Sequence, residues 1–272
     1  MKALAELDAS GIRAVLLDID ETLTTAGKLT SEAYAALEHL HAAGKIVVPV
    51  TGRPAGWCDH IARMWPVDAV VGENGAFYFF FSEGRLHKRF LDDAATRAQK
   101  RARLEDIGRR ILAEVPGCAL AADQPYREAD LAIDYCEDVP PLPLAAAERI
   151  AVLMREAGLN AKISSIHVNG WFGGYDKLAT SRVLFEERFG LDLDRANREF
   201  VFVGDSQNDA PMFAFFRNSV GVANVRRFEG RLAAPPKYVT GAASGAGFVE
   251  LVKHLLGNPE RSEPLSFSKP ER

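Results

Sequence analysis

The chain has 272 residues, of which 47% are hydrophobic and 26% charged, enough to bury a sizeable core in one large domain or two modest ones and unlike a fibrous or disordered composition. A formal net charge of -4 argues against broad electrostatic capture of nucleic acid or an anionic membrane and leaves small ligands as the expected partners. Three cysteines without CxxC spacing (Cys58, Cys118, Cys136) argue against a disulfide framework or zinc site, and no apolar run approaches a signal-peptide core or membrane span, so a cytoplasmic protein is expected.

In chain order, "IRAVLLD" (12–18) is a short apolar run of the kind buried on both faces of a parallel sheet. The next segment, "TSEAYAALEHLHAAGK" (30–45), has an N-cap candidate in Thr30 or Ser31, apolar residues at helical spacing and a stop at Gly44. "KIVVPV" (45–50) completes a βαβ unit, and "DAVVG" (68–72) reads as a further parallel strand. "FYFFF" followed by "SEG" (77–84) reads as a hairpin strand in or near the core.

Residues 85–174 differ in texture: a long charged helix over 92–115, strand-like "GCALAA" and "ADLAIDY", a Pro-rich turn, a helix over 145–158, and "AKISSIHV" as one further strand. This predicts an α+β module inserted into an α/β domain. Strand and helix alternation then resumes through "EFVFVGD", "SVGVAN" and "KYVTG", so the expected division is 1–84 with 175–256 as one body and 85–174 as a second. The polar, Pro-containing stretch 257–272 is expected to be a disordered tail.

In open parallel sheets, ligands bind beyond the carboxyl ends of the strands. Here those ends carry Asp18 and Asp20; Thr51, Gly52 and Arg53; and Asp205, Ser206, Asn208 and Asp209. Each piece alone is ordinary: Asp192 and Asp194 repeat the DxD spacing after no buried strand, and "GDSQND" could merely cap a helix. Together, the carboxylates would repel one another unless a cation joined them. Oxygen ligands without histidine or cysteine select a hard ion, so Mg2+ with a phosphate is the expected occupant.

Asp18-Ile19-Asp20-Glu21-Thr22, Thr51, Lys177 and Gly204-Asp205-Ser206-Gln207-Asn208-Asp209 resemble, in order and at strand ends, the four motifs of the haloacid dehalogenase (HAD) superfamily of phosphohydrolases. The α+β insert after the second motif, "TGRP" and "GENGA" resemble the type IIB cap branch, which includes sucrose-phosphate, trehalose-phosphate, mannosyl-3-phosphoglycerate and Cof-like phosphatases. Glu21 departs from that branch, which usually has glycine there, and "GYDKLA" departs from the usual lysine followed by glycine. The resemblance implies a Rossmann-like core with an inserted C2B-type cap, and hydrolysis of a small phosphorylated metabolite, a sugar phosphate being favoured.

It further implies Asp18 as nucleophile, Asp20 as general acid and base, and Thr51 and Lys177 on the phosphoryl group. Mg2+ would be held by Asp18, Asp205 and the backbone carbonyl of Asp20, with Asn208 and Asp209 orienting water and Lys177. Thr22, Gly52 and Arg53 of the core and Arg127, His167 and Asn169 of the insert are the candidate phosphate or substrate contacts, with Trp171 a further cap candidate. Alternatives are a phosphosugar mutase, against which the compact "GDSQND" speaks, and a non-catalytic phosphometabolite-binding protein.

Overall fold

The computed structural model describes residues 1–164 and 166–257; the expected tail lies outside the described residues but for Gly257. Its strands are β1 (Lys2–Ala3), β2 (Ala14–Leu17), β3 (Ile46–Pro49), β4 (Val70–Gly72), β5 (Phe77–Ser82), β6 (Arg85–Phe90), β7 (Ala119–Leu120), β8 (Asp130–Asp134), β9 (Asn160–Ile163), β10 (His167–Trp171), β11 (Phe200–Gly204), β12 (Asn218–Gly221) and β13 (Tyr238–Val239). The helices are α1 (Ser31–Ala42), α2 (Ala55–Met64), α3 (Ala94–Glu114), α4 (Leu144–Glu156), α5 (Lys177–Phe189), α6 (Ala210–Phe215) and α7 (Ser244–Leu256).

Six strands form a parallel sheet in the order β1-β13-β12-β11-β2-β3. Alternation along β2 and β11 sends Val15, Leu17, Val201 and Val203 to one face, against α1 and α7, and Ala14, Leu16, Phe200 and Phe202 to the other, against α5 and α6. Burying each large side chain contributes about 1.5–3 kcal/mol. Helices on both faces force both sides of these strands to be apolar, which is why they read as continuous runs.

Two expectations need correction. β4 is not a strand of the parallel ladder: it pairs antiparallel with β5 and touches β3 through one parallel bridge, Val50 to Val71. The short 73–76 connection returns the chain directly onto β4, and β5 then turns into β6 through Glu83 and Gly84, both at positive φ, as a tight hairpin requires. "AKISSIHV" is two strands, β9 and β10, that pair antiparallel, because the chain reverses where Ser164 Oγ accepts the His167 N–H at 2.9 Å.

The insert departs from β6, which stays hydrogen-bonded along the length of β5, and forms the antiparallel sheet β7-β8-β10-β9. Leu131, Ile133, Ala161 and Val168 face α3 and α4 in a separate hydrophobic core. The fold is therefore α/β with a parallel-sheet body and an inserted α+β cap, as the sequence predicts. No helix among the described residues is long and apolar enough to cross a membrane.

Candidate active site

Asp18 follows β2 and Asp205 follows β11, and these strands are neighbours, so residues 187 apart in sequence meet at one sheet edge. Asp18, Asp205 and Asp209 each present a carboxylate oxygen within 4.8 Å of the others, all three buried. Lys177 Nζ donates to Asp18 Oδ1 at 2.8 Å and to Asp209 Oδ1 at 2.9 Å. Asp209 Oδ2 accepts the amides of Asp205 and Ser206, which folds the "GDSQND" loop back on itself. Asn224 Nδ2 donates to Asp205 Oδ2 at 3.0 Å, and Thr22 Oγ1 lies 3.5 Å from Asp205 Oδ1.

Burial pushes the Asp18 carboxyl up to about 7, with Asp209 and Asp20 adding to the rise and the Lys177 ammonium opposing it. Burial also raises Asp205 well above the ordinary carboxylate range, reinforced by Asp209 and Asp18. For Lys177, burial works against the ammonium, but Asp18 and Asp209 outweigh it and hold the pKa above its usual value. One lysine among three buried carboxylates leaves two negative charges in an all-oxygen donor set, and that set fits a hard divalent cation. The carboxylate cluster is Asp18, Asp205 and Asp209; Asp20, expected to reach the ion through its backbone carbonyl, points its side chain to Arg53, which donates to it through Nε at 3.0 Å and Nη2 at 2.7 Å.

Lys177 owes its place to local geometry. Asp176 caps α5 by accepting the Ala179 amide at 2.7 Å, so Lys177 is the first helical residue. Gly75, at φ +110°, lets the "GENGA" loop pass so close that a Cβ there would overlap the Asp176 carbonyl. Gly75→Ala is expected to destabilise the fold by about 2–4 kcal/mol and to misplace Lys177. Thermal unfolding together with kcat/KM checks this; unchanged values in both would refute it.

The cap contributes His167 and Asn169, which line one small cavity with Asp18, Asp20, Gly52, Arg53, Asp205 and Asn208. Arg127 also borders it, but its guanidinium is already committed. It donates to Asp123, to Asp130 and to the Gly52 carbonyl (2.9 Å), and its side chain is 1% exposed, so it ties cap to core instead of reaching for a ligand. Trp171 likewise packs the junction, donating to the Tyr175 carbonyl and stacking on that ring. Thr51 is fully buried beneath the loop, its Oγ1 accepting the Arg53 amide at 3.0 Å.

Sequence reasoning missed Glu137 and the wider role of Glu73. Glu137 Oε1 meets Arg53 at 3.4 Å and Oε2 lies 2.8 Å from His167 Nε2, bridging core and cap; the His167 contact, against desolvation and with help from Arg53, draws its carboxyl down to about 2. Glu73 is fully buried and its carboxylate accepts the amides of Ala55 in the core and of Glu128, Ala129 and Asp130 in the cap. Nothing in the composition of either segment announces such a contact.

A family profile described as haloacid dehalogenase-like hydrolase matches residues 12–216 of the chain. The chain belongs to the haloacid dehalogenase-like hydrolases. A curated relative, the phosphoglycolate phosphatase of Haloarcula marismortui, is 30% identical over 241 residues, covering 88% of this chain and 95% of the relative. Among solved structures, a Thermoplasma acidophilum protein shares the fold at a TM-score of 0.68 and 20% identity, covering 90% of this chain and 98% of its own. A HAD subclass IIB sugar phosphatase does so at 0.61 and 14%, covering 89% and 98%. The type IIB resemblance read from the motifs is thus met in the fold, and the chain is an enzyme of the hydrolase class.

Proposed function

We propose that this HAD hydrolase is a Mg2+-dependent, cytoplasmic phosphatase that cleaves a small phosphomonoester through an aspartyl-phosphate. Residues 1–84 and 175–256 would form the catalytic body and 85–174 the cap. The observation that carries the reading is the convergence of Asp18, Asp205, Asp209 and Lys177 on one buried point at the carboxyl ends of adjacent parallel strands.

In the proposed reaction, an Asp18 carboxylate oxygen attacks phosphorus in line, the ester P–O bond breaks, and the leaving oxygen takes a proton from Asp20. Water then attacks the aspartyl-phosphate and gives a proton to Asp20, releasing inorganic phosphate and restoring the Asp18 carboxylate. Thr51, Gly52 and Lys177 would receive the phosphoryl oxygens, where charge spreads in the transition state. Arg53 gives the Asp20 carboxylate its resting partner; an arriving phosphate dianion competes for the guanidinium, so that Asp20 can take up from water the proton it then hands to the leaving oxygen. Asp18 and Asp205 with the backbone carbonyl of Asp20 would hold Mg2+, with Asn208 and Asp209 behind them. Bound there, the ion would neutralise the carboxylates and polarise the phosphoryl group.

The cavity beneath the cap is lined by polar and charged side chains from both body and cap, Asp18, Asp20, Arg53, His167, Asn169 and Asp205 among them, a lining that suits a small polar substrate. That supports a small metabolite such as the phosphoglycolate of the curated relative at least as well as a sugar phosphate. Membership of a hydrolase family, with the compact "GDSQND" loop, places hydrolysis ahead of the mutase alternative. The test is phosphate release from p-nitrophenyl phosphate, 2-phosphoglycolate and several sugar phosphates. Release with Mg2+ that EDTA abolishes and added Mg2+ restores is expected; no release from any substrate by folded, Mg2+-loaded protein would sink the proposal.

A further inference from the structure

The cap sheet has two unlike faces. Leu131, Ile133, Ala161 and Val168 pack under the cap helices, so by the two-residue alternation of strands their neighbours lie on the opposite face, over the catalytic carboxylates. On β10 those neighbours are His167 and Asn169, which line the catalytic cavity. Asn169 stands directly between Ala132 of β8 and Lys162 of β9, which puts Lys162 on the same roof, one strand further out.

A second cavity of about 60 Å3 adjoins the first and shares Asn74 and Asn208 with it; Lys162, Lys177 and Trp171 line it too. The cations around the two cavities are not equivalent. Arg53 is held by Asp20 and Glu137, Arg127 by Asp123 and Asp130, and Lys177 by Asp18 and Asp209. His167 contacts Glu137. Among the described residues, the Lys162 ammonium has neither a hydrogen bond nor an ion pair; the residue is exposed and lines the second cavity, next to the one that holds the catalytic carboxylates.

We infer that Lys162 is the specificity residue of the cap and receives a carboxylate on the leaving group, making the preferred substrate a short acidic phosphomonoester over a neutral sugar phosphate. This rests on the phosphatase reading of the same site. A leaving group with its own negative charge would be repelled by Asp18, Asp20, Asp205 and Asp209 unless a cation met it on the cap side. Lys162 is placed for that meeting, and its charge has not been consumed by a partner. A neutral leaving group gains nothing from it.

The experiment compares kcat/KM for 2-phosphoglycolate with that for p-nitrophenyl phosphate and a hexose phosphate, in wild type, Lys162→Ala and Lys162→Arg, at fixed Mg2+ and ionic strength. Wild type is expected to prefer 2-phosphoglycolate. Lys162→Ala should lower the ratio of acidic to neutral substrate about 10- to 100-fold, mainly through KM, the loss of one charge-assisted contact, and Lys162→Arg should restore most of it. A ratio unchanged in Lys162→Ala, or a wild type that prefers neutral esters, overturns the inference while leaving the phosphatase reading intact. No release by wild type from any of the three overturns both.

Discussion

Asp18→Asn abolishes phosphate release, by a factor of at least about 10⁴, while the protein stays folded. The amide cannot attack phosphorus, and no other carboxylate can replace it: Asp209 is engaged by Lys177 and two backbone amides, and Asp205 by Asn224. The same variant has a second signature in stability. Burial raises the Asp18 carboxyl from an ordinary 3.8 to about 7, so the folded, metal-free protein holds a proton there that the unfolded chain releases earlier. The group's contribution to stability is fully present below the ordinary value and is lost as pH rises through about 7.

Metal-free wild type should therefore lose stability across that window, and Asp18→Asn should flatten the loss. Mg2+ should raise the wild-type Tm at pH 8 by binding the folded state, and raise that of Asp18→Asn much less. Thermal unfolding with EDTA and with Mg2+, at pH 5 and pH 8, reads all three. Residual turnover in the variant above about one part in 10³ of wild type would remove Asp18 from the nucleophile role.

Glu73→Ala lowers stability by about 3 kcal/mol or more, a fall in Tm of roughly 6–12 °C. The Glu73 carboxylate takes amides from Ala55, Glu128, Ala129 and Asp130, and truncation leaves these buried donors with no acceptor in reach. Three of the four belong to the cap, so the loss falls on the junction. Limited proteolysis should accordingly cut the variant first near residues 121–129. Glu73→Gln keeps one good acceptor oxygen and should lie between the two. A Tm within about 1 °C of wild type for Glu73→Ala would show that water or a neighbouring group takes over the amides.

Much of this architecture was legible because it rests on local chemistry. The apolar runs "AVLL" and "FVFVG" could only be strands covered on both faces, and their ends identified Asp18, Asp205 and Asp209 as one group. Lys177 needed the motif order, since nothing in "GYDKLA" alone says that the lysine is buried. What escaped depended on register or on contacts between distant segments. Glu137, Lys162 and the Glu73 cradle are set by how cap strands pair and where the cap lands, which no periodicity encodes. Arg127 shows the converse: an arginine after a turn looks available, and only the nearness of Asp123, Asp130 and the Gly52 carbonyl reveals that it is used up. The DxD spacing does not say where the second side chain goes: alternate residues leave a strand end in different directions, and Arg53 collects the Asp20 carboxylate.

The pairing of β2 with β11 also dictates when the enzyme comes into being during synthesis. Arg13 and Glu199 bracket that pairing and lie 186 residues apart, so the central ladder cannot close until three-quarters of the chain has left the ribosome. The cap is contiguous and finishes first. Once folded, it acts as a compact spacer that shortens the loop the core must close, which lowers the entropic cost of joining the two halves. Until β11 arrives, β2 offers β3 an edge on one side and nothing on the other, an exposed apolar template that chaperones would be expected to shield. A nascent chain stopped just before residue 200 would thus carry a finished lid and no enzyme beneath it.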